Sequence, residues 1–162
     1  MRLPLLALLL AAPLAAQGTV KASHPDLTGV WVLDPAKNVV DGPLQGPSAA
    51  TYTVGMHGDS ITVDMKYTAP DGEMQMKKLW ATDGYTWINY MKYQGTDLTL
   101  NSVIKWNGPV LAIQTTTDFG GTPVTQAETW TLGAEGKTLT IVTVTSVNGA
   151  AYASVTTVFN KK

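Results

Sequence analysis

Ser60-Ile61-Thr62-Val63-Asp64-Met65-Lys66-Tyr67, then Thr68-Ala69-Pro70-Asp71-Gly72, then Glu73-Met74-Gln75-Met76-Lys77-Lys78-Leu79-Trp80: this stretch decides the fold. In its first run Ile61, Val63, Met65 and Tyr67 share one face, opposite Ser60, Thr62, Asp64 and Lys66. A period of two is the signature of a strand, because successive side chains leave a pleated backbone on opposite sides. Pro-Asp-Gly then supplies the fixed φ and the positive φ that a tight turn needs. The second run returns with Met74, Met76 and Trp80 on one face, joined there by Lys78. Strand, turn and strand with one dry face and one wet face make an antiparallel sheet over a single interior.

The pattern repeats outward from there. Ten segments carry strand chemistry: Thr28–Leu33, Ala49–Gly55, Ser60–Tyr67, Glu73–Trp80, Tyr85–Tyr93, Asp97–Trp106, Val110–Thr117, Val124–Leu132, Thr138–Val147 and Ala151–Phe159. Asp83-Gly84, Gln94-Gly95, Asn107-Gly108, Gly120-Gly121 and Asn148-Gly149 join them, with the residues that hairpin turns favour. The one long connection, Asp34–Ser48, contains Pro35, Gly42, Pro43, Gly46 and Pro47, so it predicts a loop with at most one helical turn. The expected fold is therefore all-β: an antiparallel up-and-down barrel of about 8–10 strands, since closure removes exposed edges. A sandwich of the same strands is the alternative, but it usually needs longer crossovers than this chain offers.

Composition agrees and excludes other classes. Threonine occurs 23 times and valine 15 times, against two phenylalanines. Among 162 residues there is no Cys, which removes disulfides, thiolate metal sites and cysteine nucleophiles. The formal charge of −1 leaves no basic footprint for nucleic acid. Met1–Ala16 has one positive charge, a short Leu/Ala run and then small residues, the order of a secretory signal peptide. The expected organisation is a leader over 1–16, a tail over 17–27 and one barrel domain over 28–162, with a periplasmic or secreted location. Cleavage there would remove Arg2, the only arginine, leaving ten lysines against twelve carboxylates. An outer-membrane barrel is the rival for an exported meander, but faces bearing Asp64, Lys66, Asp97, Lys105 and Thr140 are too polar for lipid. No stable membrane insertion is expected.

The interior is where function is sought, and polar residues on dry faces mark it. Lys78 joins Met74, Met76 and Trp80; Asn89 joins Tyr85, Trp87, Met91 and Tyr93; Gln126 and Glu128 join Val124, Trp130 and Leu132. Lys78, Asn89, Gln126 and Glu128 are thus expected to hold the polar end of a ligand. Trp80, Tyr85, Trp87, Trp106 and Trp130 would line its walls, as in concave aromatic pockets with a few polar anchors. Catalysis has little material. His24 lies in the tail and His57 in a turn beside Asp59, so neither a nucleophile–base pair nor a metal site is suggested. No enzyme activity, metal or cofactor is expected.

Leu27-Thr28-Gly29-Val30-Trp31 puts Gly-x-Trp at the first strand of a meander, which resembles the opening of the lipocalin and fatty-acid-binding protein superfamily. Continued through Val32-Leu33-Asp34-Pro35-Ala36-Lys37, it is similar to small secreted bacterial lipocalin-like proteins, as is the late hairpin Trp130-Thr131-Leu132 to Thr138-Leu139-Thr140. Thr117-Asp118-Phe119 resembles a second lipocalin motif. The resemblance implies a barrel that binds a small, mostly apolar molecule, with Trp31 closing one end and Gly29 allowing close chain approach; both would be structural. It also implies an arginine late in the chain to stack on that Trp, and arginines for a carboxylate ligand. Neither exists outside the leader, so Lys161, Lys162 or Lys78 would substitute. Asp34–Ser48 also looks unable to form the helical lid of the fatty-acid-binding proteins. Two further readings stand beside a ligand carrier: an envelope protein with a filled barrel acting through its surface, and an enzyme using Glu128 and Lys78.

Overall fold

The computed structural model describes residues 24–70 and 72–162. The expected leader, residues 17–23 of the expected tail, and Asp71 of the Pro-Asp-Gly turn lie outside the described residues. Eleven strands follow: β1 Gly29–Leu33, β2 Val39–Asp41, β3 Ala49–His57, β4 Ser60–Ala69, β5 Gly72–Ala81, β6 Thr86–Tyr93, β7 Thr96–Asn107, β8 Val110–Asp118, β9 Pro123–Leu132, β10 Thr138–Val147 and β11 Ala150–Lys161. The sheet order is β5-β4-β3-β1-β11-β10-β9-β8-β7-β6, every pair antiparallel, which is an up-and-down meander bent round on itself. The two ends of that order, β5 and β6, exchange no ladder hydrogen bonds, so the barrel is nearly closed with one seam.

The long connection differs in part from its reading as a loop. Pro35–Lys37 forms a single 3₁₀ turn, and Val39–Asp41 adds the short β2 against β11 at Thr156, Val155 and Ser154. Alternation could not reveal β2, because three residues are too few to show a period and all three are exposed. The hairpins follow their turn residues: Gln94 and Asn148 both take positive φ ahead of Gly95 and Gly149.

One end of the barrel is solid. Leu27, Trp31, Ile61, Trp80, Ile104, Leu111, Trp130, Leu139 and Phe159 are buried there in one contiguous cluster. Trp31 is the plug. Its Nε1 donates to the Leu27 carbonyl at 2.8 Å, and the Lys161 ammonium lies 5.2 Å from its ring centroid. Of the lysines expected to serve there, Lys161 is the one that lies over the Trp31 ring. Gly29 makes this possible: a Cβ there would lie 2.7 Å from Lys161 Cε, and its φ of +142° is one that L side chains rarely adopt. His24 stacks on Trp106 with ring centroids 4.6 Å apart, so the start of the described chain covers the same end.

Candidate functional site

Register places the inward side chains of β7–β10 in rows. Trp106 faces Leu111, which faces Trp130, which faces Ile141. One step further into the barrel run Ile104, Ile113, Glu128 and Thr143, and beyond them Ser102, Thr115, Gln126 and Thr145. The interior therefore grades from an aromatic floor, through a row holding one carboxylate, to a band of hydroxyls and an amide. Ser102, Thr115 and Thr145 are buried, and the hydroxyls of Ser102 and Thr115 are hydrogen-bonded at 2.8 Å. Alternation did not single these three out. Thr suits either face of a strand, and the only signal was Ser102 interrupting the apolar face between Leu100 and Ile104.

Two matching frames stand on β5 and β9. On β5, Lys78 precedes Trp80 by two residues; on β9, Glu128 precedes Trp130 by two. The two indoles meet edge to face, with centroids 5.9 Å apart. Trp130 Nε1 donates to Glu128 Oε2 at 2.9 Å, which satisfies the indole and orients the carboxylate. The β5 frame is different. The Lys78 ammonium lies 5.2 Å from the centre of the Trp80 ring, and both groups are donors, so neither can satisfy the other. Lys78 is only 8% exposed and has no carboxylate within ion-pair distance among the described residues. Trp80 is fully buried, and its Nε1 has no hydrogen-bond partner.

Tyr52 on β3 packs between these walls, 4.6 Å from Phe159 and 6.0 Å from Trp130 by ring centroids. Burial first, then the Glu128 carboxylate and Tyr67, pushes its phenol far above the ordinary tyrosine range. Tyr67 on β4 is raised in the same way, by burial and then by Glu128. Both hydroxyls thus stay protonated beside that carboxylate.

The remaining sequence-predicted residues divide. Asn89 is inward and buried, but its amide is occupied: Oδ1 accepts from Leu79 N–H at 3.0 Å and Nδ2 donates to the Leu79 carbonyl at 3.3 Å. It stitches β5 to β6 across the seam. Trp87 is half-buried at the core, with Nε1 on Asp83 Oδ1 at 3.2 Å. Trp106 is half-buried under His24, and Gln126 lies on the inward face but remains exposed. Tyr85 is a correction. It precedes β6 and is 75% exposed, because Asp83 Oδ1 accepts its N–H at 3.0 Å and makes it part of the Asp83-Gly84 turn. Thr117-Asp118-Phe119 ends in another turn, with Asp118 accepting from Gly121 N–H.

Two grooves of about 430 and 440 Å³ are cut into the wall formed by β3, β4 and β5. Their linings include outward residues such as Lys66 and Gln75 in the first and Thr62 and Lys77 in the second, which also reaches the seam at Leu79 and Asn89. Among the described residues no three His, Cys, Asp or Glu side chains converge as a metal ion requires, and no helix is long and apolar enough to cross a membrane.

No protein-family model matches the chain, and no curated protein matches it. Solved structures do. Secretory abundant heat soluble protein 4 from Ramazzottius varieornatus is similar over 84% of this chain and 94% of its own, at 13% identity and a TM-score of 0.51. The zebrafish ileal bile acid-binding protein, solved with cholic acid, covers 84% of this chain and 98% of its own at 14% identity and a TM-score of 0.49. The fold is the lipocalin-like antiparallel barrel.

Proposed function

We propose that this chain is an exported, non-enzymatic binding protein that holds a small, mostly apolar molecule inside the barrel, and that it belongs with the secreted lipocalin-like proteins. The observation that carries the reading is the unfinished β5 frame: a largely buried lysine with no protein acceptor for its ammonium, beside a buried indole N–H that has none either. Burying polar groups unpaired is costly, so such a pair in an otherwise well-satisfied interior is best explained by a group supplied from outside the chain. The aromatic floor gives an apolar contact surface, and the Ser102–Thr115–Gln126–Thr145 band gives polar contacts above it. Lys78, Glu128, Trp80 and Trp130 are the residues assigned to the ligand. Asn89 is better read as a seam residue than as an anchor. The leader-like Met1–Ala16 supports export to the periplasm or beyond, and the polar outward faces of the strands support a barrel that stays out of the bilayer.

The anionic dye 1-anilinonaphthalene-8-sulfonate tests this directly. Saturable, one-to-one fluorescence enhancement that apolar competitors reverse is the expected result. Loss of the signal on Thr145→Trp, which fills the hydroxyl band, would place the dye inside. No saturable binding, or binding indifferent to that substitution, would overturn the reading. A second reading draws on Leu79, Tyr85, Ile88 and Tyr90, apolar or aromatic side chains exposed on and beside β5 and β6. A protein working through that surface would lose its role on Ile88→Lys with dye binding intact.

A further inference from the structure

The two frames differ in a way that specifies the chemistry of what lies between them. At the β9 frame the acceptor is in excess: Glu128 has two carboxylate oxygens and gives one to Trp130. At the β5 frame the buried Trp80 N–H has no acceptor, and the Lys78 ammonium has the face of the Trp80 ring beside it and no carboxylate. Lys78 and Glu128 are opposite charges facing one interior, yet they do not form an ion pair. Each stands two residues before one of the edge-to-face indoles, whose centroids are 5.9 Å apart. Direct pairing would have neutralised both charges. Held apart, each is left to complete its bonding with something that bridges the gap.

We propose that the interior ligand is bifunctional: an anionic oxygen that accepts from Lys78 and Trp80, and, a short distance along the same molecule, an N–H or O–H that donates to Glu128. An apolar remainder packs against the floor aromatics. N-acyl amino acids are the simplest molecules of this class, since their carboxylate and amide N–H sit one carbon apart at the head of an aliphatic chain. A simple carboxylic acid satisfies the β5 frame and leaves Glu128 with its surplus acceptor. An amine satisfies Glu128 and places a third donor near Lys78. Charge and hydrogen-bond complementarity, rather than apolar area, then set the preference, because an unpaired buried polar group penalises the wrong ligand. The inference rests on the ligand-carrier reading above.

The test compares four probes of matched chain on the full-length protein, by displacement of the naphthalene sulfonate dye: N-dodecanoylglycine, dodecanoic acid, dodecylamine and N-dodecanoylsarcosine, which lacks the amide N–H. N-dodecanoylglycine is expected to bind about tenfold more tightly than any of the other three. Glu128→Gln should erase its advantage over the sarcosine compound, and Lys78→Met should weaken both carboxylates alike. Trp80→Phe keeps one aromatic ring and loses the N–H, so it should weaken carboxylate binding more than it weakens dye binding, with circular dichroism checking that the smaller side chain leaves the fold in place. Equal binding of dodecanoic acid and N-dodecanoylglycine by the unsubstituted protein would overturn the bifunctional ligand and leave the carrier reading standing. Tightest binding of dodecylamine would overturn it as well. Failure of all four probes and of the dye would overturn both.

Discussion

Gly29 and Trp31 show how much a single residue can announce. Gly-x-Trp at the first strand was legible in the sequence, and the partner that the structure gives it is the Lys161 ammonium over the Trp31 ring, in a chain with no arginine after Arg2. Gly29→Ala should cost about 1–3 kcal/mol, since the new Cβ meets Lys161 and the backbone keeps a φ that suits glycine. Lys161→Met should cost less, on the order of 0.5–1 kcal/mol, because the cation–π contact is lost and the stem's packing is kept. Urea unfolding of the two variants gives the ranking. Tyr52 and Tyr67 carry a pH dependence of definite sign. Burial and Glu128 raise both phenols above the unfolded tyrosine value of about 10. Their contribution to stability is whole below that pH and declines as pH rises above it, because the unfolded chain then loses protons that the folded one keeps. Stability should therefore fall between about pH 10 and 12, and less steeply in Tyr52→Phe. An equally steep fall in the variant would exclude Tyr52 as the source.

Elements were legible where the alternation was long. β4 and β7 run ten and twelve residues, and their buried positions follow the alternation of their sequences, whereas in β10 the apolar positions change face after Ile141, leaving Val144 exposed and Thr145 buried. β2 was illegible because it has no period of its own; β11 beside it creates it. The seam was illegible for a related reason. Nothing local in Gly72–Ala81 or Thr86–Tyr93 says that two strands joined by a short turn will fail to pair. Asn89 was read correctly as inward and was assigned to a ligand, whereas its amide is spent on the Leu79 backbone. A hydrogen bond between a side chain and a strand ten residues away leaves no trace in spacing. Asn89→Leu keeps the volume and removes both bonds, so it should destabilise by about 1–3 kcal/mol. It should also raise amide exchange at Leu79 above that of its neighbours on β5. Unchanged protection at Leu79 would show that the seam is held by other contacts.

At the scale of the molecule, the lipocalin-like barrel was available from strand number, turn chemistry and the rule that sheets shed their edges. The interior was only half available. Inward faces could be counted, and so Lys78, Glu128, Trp80 and Trp130 were read as inward, but which inward groups satisfy one another depends on pairings across the barrel that no one strand encodes. Trp130 has its acceptor two residues away and Trp80 has none, although the two tryptophans sit in like frames. That asymmetry is the basis for reading the barrel as a container rather than a filled solid. Native mass spectrometry of the full-length protein after incubation with a small-molecule and lipid extract tests the container most directly. The account predicts one small molecule per chain, lost in Thr145→Trp and weakened in Lys78→Met. The bare protein mass alone, in all three proteins, would contradict it.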